Sequence, residues 1–154
     1  MIPWITISPE MVYDYLAAPQ VEGLRHSALA QQQEDPLPEI IRDICEQMRA
    51  EISAQPQNRL DRRAHTIPPH LKATACWLII EAAQTRIPGL KASEDQIRLA
   101  EQAHQRLQRI AQGELPLGQP DSSDTSVTYR RPGARIDILH RRQGQATGHT
   151  LSGF

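Results

Sequence analysis

The stretch that most limits what this chain can become is residues 67–87, Ile-Pro-Pro-His-Leu-Lys-Ala-Thr-Ala-Cys-Trp-Leu-Ile-Ile-Glu-Ala-Ala-Gln-Thr-Arg-Ile. Pro68 and Pro69 stand where a helix accepts proline, in its first turn, whose backbone N–H groups have no partner inside the helix. Between Ala73 and Ala83 only Thr74 and Glu81 are polar. Leu71, Ala75, Leu78 and Ala82 recur at helical spacing on one stripe, and Ala73, Trp77 and Ile80 widen it. A helix apolar over most of its circumference is one buried among other helices. Arg86 suits the negative end of the helix dipole, and Pro88-Gly89 stops the helix. The run is too short and too interrupted to span a bilayer. The spacing therefore predicts the central helix of a small bundle, over about 68–87.

The rest of the chain supplies its neighbours. Residues 1–7 read as an extended lead-in. Ser8-Pro9-Glu10 then gives an N-cap, a first-turn proline and a first-turn acid, for a helix to about Ala18 with Met11, Val12, Tyr15 and Leu16 inward. Pro19 is expected to break it, and a second helix from about Val21 to Gln33 turns Val21, Leu24, Ala28 and Leu29 inward. Asp35-Pro36 opens a third, from Leu37 to about Ala54, with Leu37, Ile40, Ile41, Ile44, Met48 and Ile52 on a 3.6-residue period. Gln55 to Thr66 reads as a polar connection. Ser93 with Gln96 makes a capping box for a last helix to about Gln112, whose inner face is Ile97, Ala100, Ala103, Leu107, Ile110 and Ala111. Gly113 ends it through a left-handed residue.

Composition agrees with a helical body and a separate arm. Hydrophobic residues make up 39% of the chain and charged ones 23%, which suits a modest core; aromatics at 4% leave that core to Leu, Ile, Ala and Val. Residues 1–118 carry 12 basic and 15 acidic side chains, whereas residues 119–154 carry five arginines and three aspartates. A slightly acidic bundle (1–118) thus bears a mildly basic C-terminal arm (119–154). Gln119 to Asp124 has a linker's composition. Ser126 to Arg130 and Ala134 to Leu139 have the composition of two short strands around Arg131-Pro132-Gly133. Two strands alone are marginal in water, so this arm is expected to order on a partner's sheet edge or groove. Its candidate partner-binding residues are Tyr129, Arg130, Arg131, Arg135, Ile136, Ile138, Leu139, Arg141, Arg142 and Phe154.

Signals for chemistry are weak. Six histidines invite a metal, yet His65 and His70 lie five apart across a helix start with no third ligand nearby, and no metal or cofactor is expected. Cys45 and Cys76 fall on apolar helix faces; free buried thiols in a reducing compartment are the preferred reading, and a disulfide would require the two helices to touch there. Glu81 is the one acid in the most apolar helix: a buried base with a raised pKa, a residue on a narrow exposed strip, or one paired with a neighbouring arginine. No phosphate loop or nucleophile motif accompanies it, and the chain is not read as an enzyme. Arg59, Arg62 and Arg63 precede the central helix as a solvated, ion-paired loop or as a contact for DNA phosphates or an acidic partner. No secretory signal precedes the first charged residues, so residence in the cytoplasm is expected.

Several of these segments also resemble a known family. Ser8-Pro9-Glu10, the Ile-rich helix near 40–52, Ile67-Pro68-Pro69-His70-Leu71-Lys72 running to Thr85-Arg86-Ile87-Pro88, and Leu107-Gln108-Arg109-Ile110-Ala111-Gln112-Gly113-Glu114-Leu115-Pro116-Leu117 come in the order and spacing of tailed-phage head–tail connector (head-completion, or neck adaptor) proteins, especially the Mu-like branch. The resemblance covers about residues 5–118; a longer glutamine-rich connection near 31–36 and the arm depart from it. It implies no catalytic residues. It implies a subunit of a homo-oligomeric ring, commonly a dodecamer, set in the virion neck after assembly in the host cytoplasm. The arm would embrace the portal protein, the other face would receive a stopper or tail-side protein, and DNA would pass through the lumen without specific binding. A small helical DNA- or regulator-binding module is the alternative.

Overall fold

The computed structural model describes residues 2–30, 35–87 and 89–121, with side chains omitted at 27–30. It is an all-α bundle of five helices with one two-stranded sheet among the described residues. In order come β1 (Ile5–Thr6), α1 (Pro9–Tyr13), α2 (Ala18–Ala30), α3 (Leu37–Ser53), β2 (Thr66–Ile67), a 3-10 turn at Pro69–Leu71, α4 (Lys72–Arg86) and α5 (Glu94–Ala111).

The central helix sits where its composition demands. Thr74, Ala75, Cys76, Leu78, Ile79, Ile80 and Ala83 of α4 are buried, and α1, α3 and α5 pack around it. α3 contributes Leu37, Ile40, Ile41, Cys45, Met48 and Ile52, and α5 contributes Ala100, Ala103, Leu107 and Ile110. Each fully buried Ile or Leu removes apolar surface worth about 1.5–3 kcal/mol from water, so these three faces dominate stability. Tyr15 closes the α1 side edge-on to Trp77, with ring centroids 5.3 Å apart.

Two apolar positions depart from the expected pattern. Ala73 of α4 is exposed, because in the first turn of that helix it is Thr74 and Ala75 that face the core. Ile97 of α5 is half exposed, one turn before the stripe engages at Ala100.

The ends of the helices show why they lie where they do. Pro68 holds an extended backbone (φ −58°, ψ 136°), as a residue preceding a proline must, so the chain enters α4 by a strand and a 3-10 turn and not by a continuous helix from Pro68. The first helix stops at Tyr13, short of Ala18. Pro19 does not break it; it occupies the first turn of α2, which therefore begins at Ala18 and not at Val21. Residues 31–34, in the expected end of that helix, lie outside the described residues. Ser8 has N-cap geometry but makes no side-chain bond to the helix backbone; its hydroxyl serves the Glu10 carboxylate.

α5 is capped at both ends. Ser93 Oγ accepts the Gln96 N–H (3.2 Å) while Gln96 Oε1 accepts the Ser93 N–H (3.0 Å). At the other end Gly113 takes φ +80°, its N–H reaches Ile110 O (3.0 Å) and the Glu114 N–H reaches Arg109 O (2.9 Å). That is the Schellman arrangement, and Gln55 Nε2 adds a bond to Ala111 O (2.8 Å).

The lead-in and the polar connection turn out to be structural. Ile5 pairs with Ile67 and Thr6 with Thr66, antiparallel, which ties β1 to β2. Beside this ladder Arg49 of α3 reaches inward. Its guanidinium donates to Thr66 O (2.9 Å) and Asp61 O (2.8 Å) and lies 5.6 Å from the centre of the buried Trp4 ring. The Trp4 indole N–H has no hydrogen-bond partner among the described residues.

Candidate functional site

The arm residues expected to grip a partner, Tyr129 to Arg142 and Phe154, lie outside the described residues. What the structure does place is the root from which they depart. The Ile2 N–H donates to Gln119 O (3.3 Å), Ile2 and Pro120 form a parallel bridge, and Gln119 Nε2 donates to Gln57 O (3.4 Å). Pro120 is buried. Leu115 and Leu117 pack on the core on the way there, so the chain stays on the body through Pro120 rather than leaving it at Leu115. Gly118 lies close to the same residue: a Cβ there would come within 3.2 Å of Ile2 Cδ1, the end of a half-exposed side chain that would have to shift.

The arginine loop lies next to this root, and its three cations differ. Asp61 is buried, and its carboxylate accepts from the Arg63 backbone N–H (2.8 Å), Arg63 Nε (3.2 Å) and Arg63 Nη2 (3.0 Å). The first of these is an Asx turn, which an aspartate two residues before its donor makes readily. Arg63 also donates to Trp4 O (3.2 Å), stitching the loop to the lead-in. Asp61, and more distantly Asp121, raises the Arg63 pKa further. Its ion pair is thus with an aspartate of its own loop, not with a neighbouring helix. Arg59 and Arg62 are exposed and make no hydrogen bond or ion pair among the described residues. His65 follows with a positive φ of 59°, its Nδ1 3.3 Å from Glu46 Oε1.

Glu81 does not stand in a buried pocket. Its carboxylate meets His104 of α5 at 2.6 Å, and both side chains are about half exposed (45% and 51%). The partner is a histidine where an arginine was expected. Among the described residues no group of three His, Cys, Asp or Glu able to hold a metal is found.

Between α3 and α5 runs a shallow groove of about 300 Å³, floored by Leu107 and Ala111 and walled by Gln47, Glu51, His104, Gln108 and Gln112. These walls offer side-chain amides together with the Glu51 carboxylate and the His104 imidazole. The outer face of α3 is partly engaged within the molecule: Arg86 reaches Glu39 (3.4 Å) and Asp43 (3.5 Å). Cys45 and Cys76 are both buried and free, and burial pushes each thiol up to about 11. Such thiols pack and do not attack.

Sequence reasoning passed over the Ile2–Gln119 clamp and the Trp4–Arg49–Asp61 cluster. The one local signal was Asp61-Arg62-Arg63 itself, an acid enclosed by cations directly before a proline-started helix. No described helix is long and apolar enough to cross a membrane. The chain matches no protein-family model, no curated protein and no solved structure.

Proposed function

We propose that this chain is a structural adaptor of a tailed-phage virion neck, a ring subunit between portal and tail-side proteins that docks on the portal through residues 119–154. The observation that carries the reading is the arm root. A helical body closed on its own core holds Gln119 and Pro120 against its first residues and from there extends a segment with five arginines and three aspartates. A chain built only to fold has no use for an anchored, charged extension, whereas an assembly subunit uses one to grip its neighbour. The order of the helix-bounding motifs, resembling head–tail connectors, supports it further.

Deleting residues 122–154, which spares the Pro120 anchor, should leave helical circular dichroism intact and abolish attachment to the portal in a pull-down. Attachment equal to that of the full chain would overturn the reading. Exposed Arg59 and Arg62 favour a second reading, a DNA-binding module. That one requires duplex binding which falls steeply with salt, and a flat low-salt titration would remove it.

A further inference from the structure

Charge is segregated in this chain. Residues 55–65 carry three arginines against one aspartate, and the arm is net +2 as well. The remainder, residues 1–54 and 66–118, carries nine basic against fourteen acidic side chains, net −5. The fold sets the root of the arm beside the arginine loop, because Gln119 bonds to Gln57 and Asp121 lies within electrostatic range of Arg63. Ile2, 41% exposed, sits at the same place, bonded to Gln119.

We infer that this end of the bundle, formed by Arg59, Arg62, Ile2 and the arm root, is a docking face for an acidic protein surface, and that on the adaptor reading this surface belongs to the portal. Two features select a protein over a duplex. Ile2 and Pro3 offer exposed apolar area, which a protein surface can cover and a phosphate chain cannot. And the arm emerges from this face, so whatever the arm grips is held against Arg59 and Arg62 at high effective concentration.

The test is binding of full-length variants to purified portal of the same phage. Arg59→Glu/Arg62→Glu touches no hydrogen bond among the described residues, so the fold should survive, checked by circular dichroism. The expected result is on the order of tenfold weaker binding at low salt, with the gap narrowing as salt rises. Arg42→Glu/Lys91→Glu, an equal change in charge elsewhere, should bind as wild type; an equal loss there would replace the docking face with a long-range charge effect and overturn the inference.

A third variant, Tyr129→Ser/Ile136→Ser/Ile138→Ser, separates the two ideas. If it loses binding while Arg59→Glu/Arg62→Glu does not, the docking face falls and the adaptor reading stands. If it binds as wild type, or wild type does not bind portal, both fall. If Arg59→Glu/Arg62→Glu loses only retention of duplex DNA, the face belongs to nucleic acid and the inference is wrong.

Discussion

Gln20 and Gln96 exchange two amide hydrogen bonds, Gln20 Nε2 to Gln96 Oε1 at 3.1 Å and Gln96 Nε2 to Gln20 Oε1 at 3.0 Å. Each amide oxygen also accepts a backbone N–H three residues earlier, Ala17 for Gln20 and Ser93 for Gln96. Two helix starts, those of α2 and α5, are thus capped and joined by one reciprocal pair.

This pairing predicts non-additive mutants. Gln96→Ala should cost about 1–2 kcal/mol, since it removes half a capping box and the tie to α2. Gln20→Ala should cost less. The double variant should show a coupling energy of about 0.5–1 kcal/mol by urea denaturation. Strict additivity would mean the pair is not formed in solution.

Asp61 is the acid whose loss should hurt most. Asp61→Ala strands the Arg63 N–H and breaks the link through Arg63 to Trp4, at a cost of about 2–3 kcal/mol. The figure sits below that of a fully buried pair because the Arg63 side chain is 57% exposed. Asp61→Asn keeps an acceptor for the turn and should cost roughly half as much. The denaturation midpoints rank the two; equal and negligible losses would show that the cluster is decorative.

Both thiols should be inert until the bundle opens. A thiol pushed up to about 11, against an ordinary 9, has its thiolate fraction reduced about 100-fold near neutral pH, and burial blocks reagent as well. A thiol-reactive dye at pH 8 should label neither cysteine in the native chain and both in denaturant. The sign of the linkage follows. Holding these thiols neutral stabilises the fold fully below their ordinary range, and that contribution is lost as pH rises from there through about 11.

His70 sets the acid side. Partial burial, and then repulsion by Arg106, hold its pKa below the ordinary histidine value. The unfolded chain therefore takes up the proton first. This contribution is intact above the ordinary histidine range and is lost as pH falls through it towards the depressed value. His70→Gln should flatten the thermal-stability profile between about pH 7 and pH 5. An unchanged slope would assign the acid sensitivity to other groups.

How much of this was legible in the residues depended on distance along the chain. The Ser93–Gln96 box and the Gly113 terminus each close within a few residues, and both stand where the sequence placed them. The apolar periods of α3 and α4 were readable for the same reason. The Ile5–Thr6 and Thr66–Ile67 pairing joins segments about sixty residues apart, and strands of two residues have no period to detect. The role of Arg49 was not legible, because helical spacing says which face a residue occupies, not that a long side chain will fold back over Trp4. The Ile97 misassignment arose where a stripe begins, one turn before it meets its neighbour. Of the candidate site, the basic loop was visible but the division of labour within it was not, because only the fold separates Arg63, spent on Asp61, from Arg59 and Arg62.

The Ile2–Pro120 bridge has a mechanical consequence. The contact is a single bridge carried by the Ile2 N–H to Gln119 O bond, so a pull arriving at Asp121 is shared between that bond and the covalent path back through Gly118. From Ile2 the load passes to Trp4 and on through Arg63 to Asp61. The leading residues therefore take part of any tension on the extension, which would otherwise fall wholly on the end of α5.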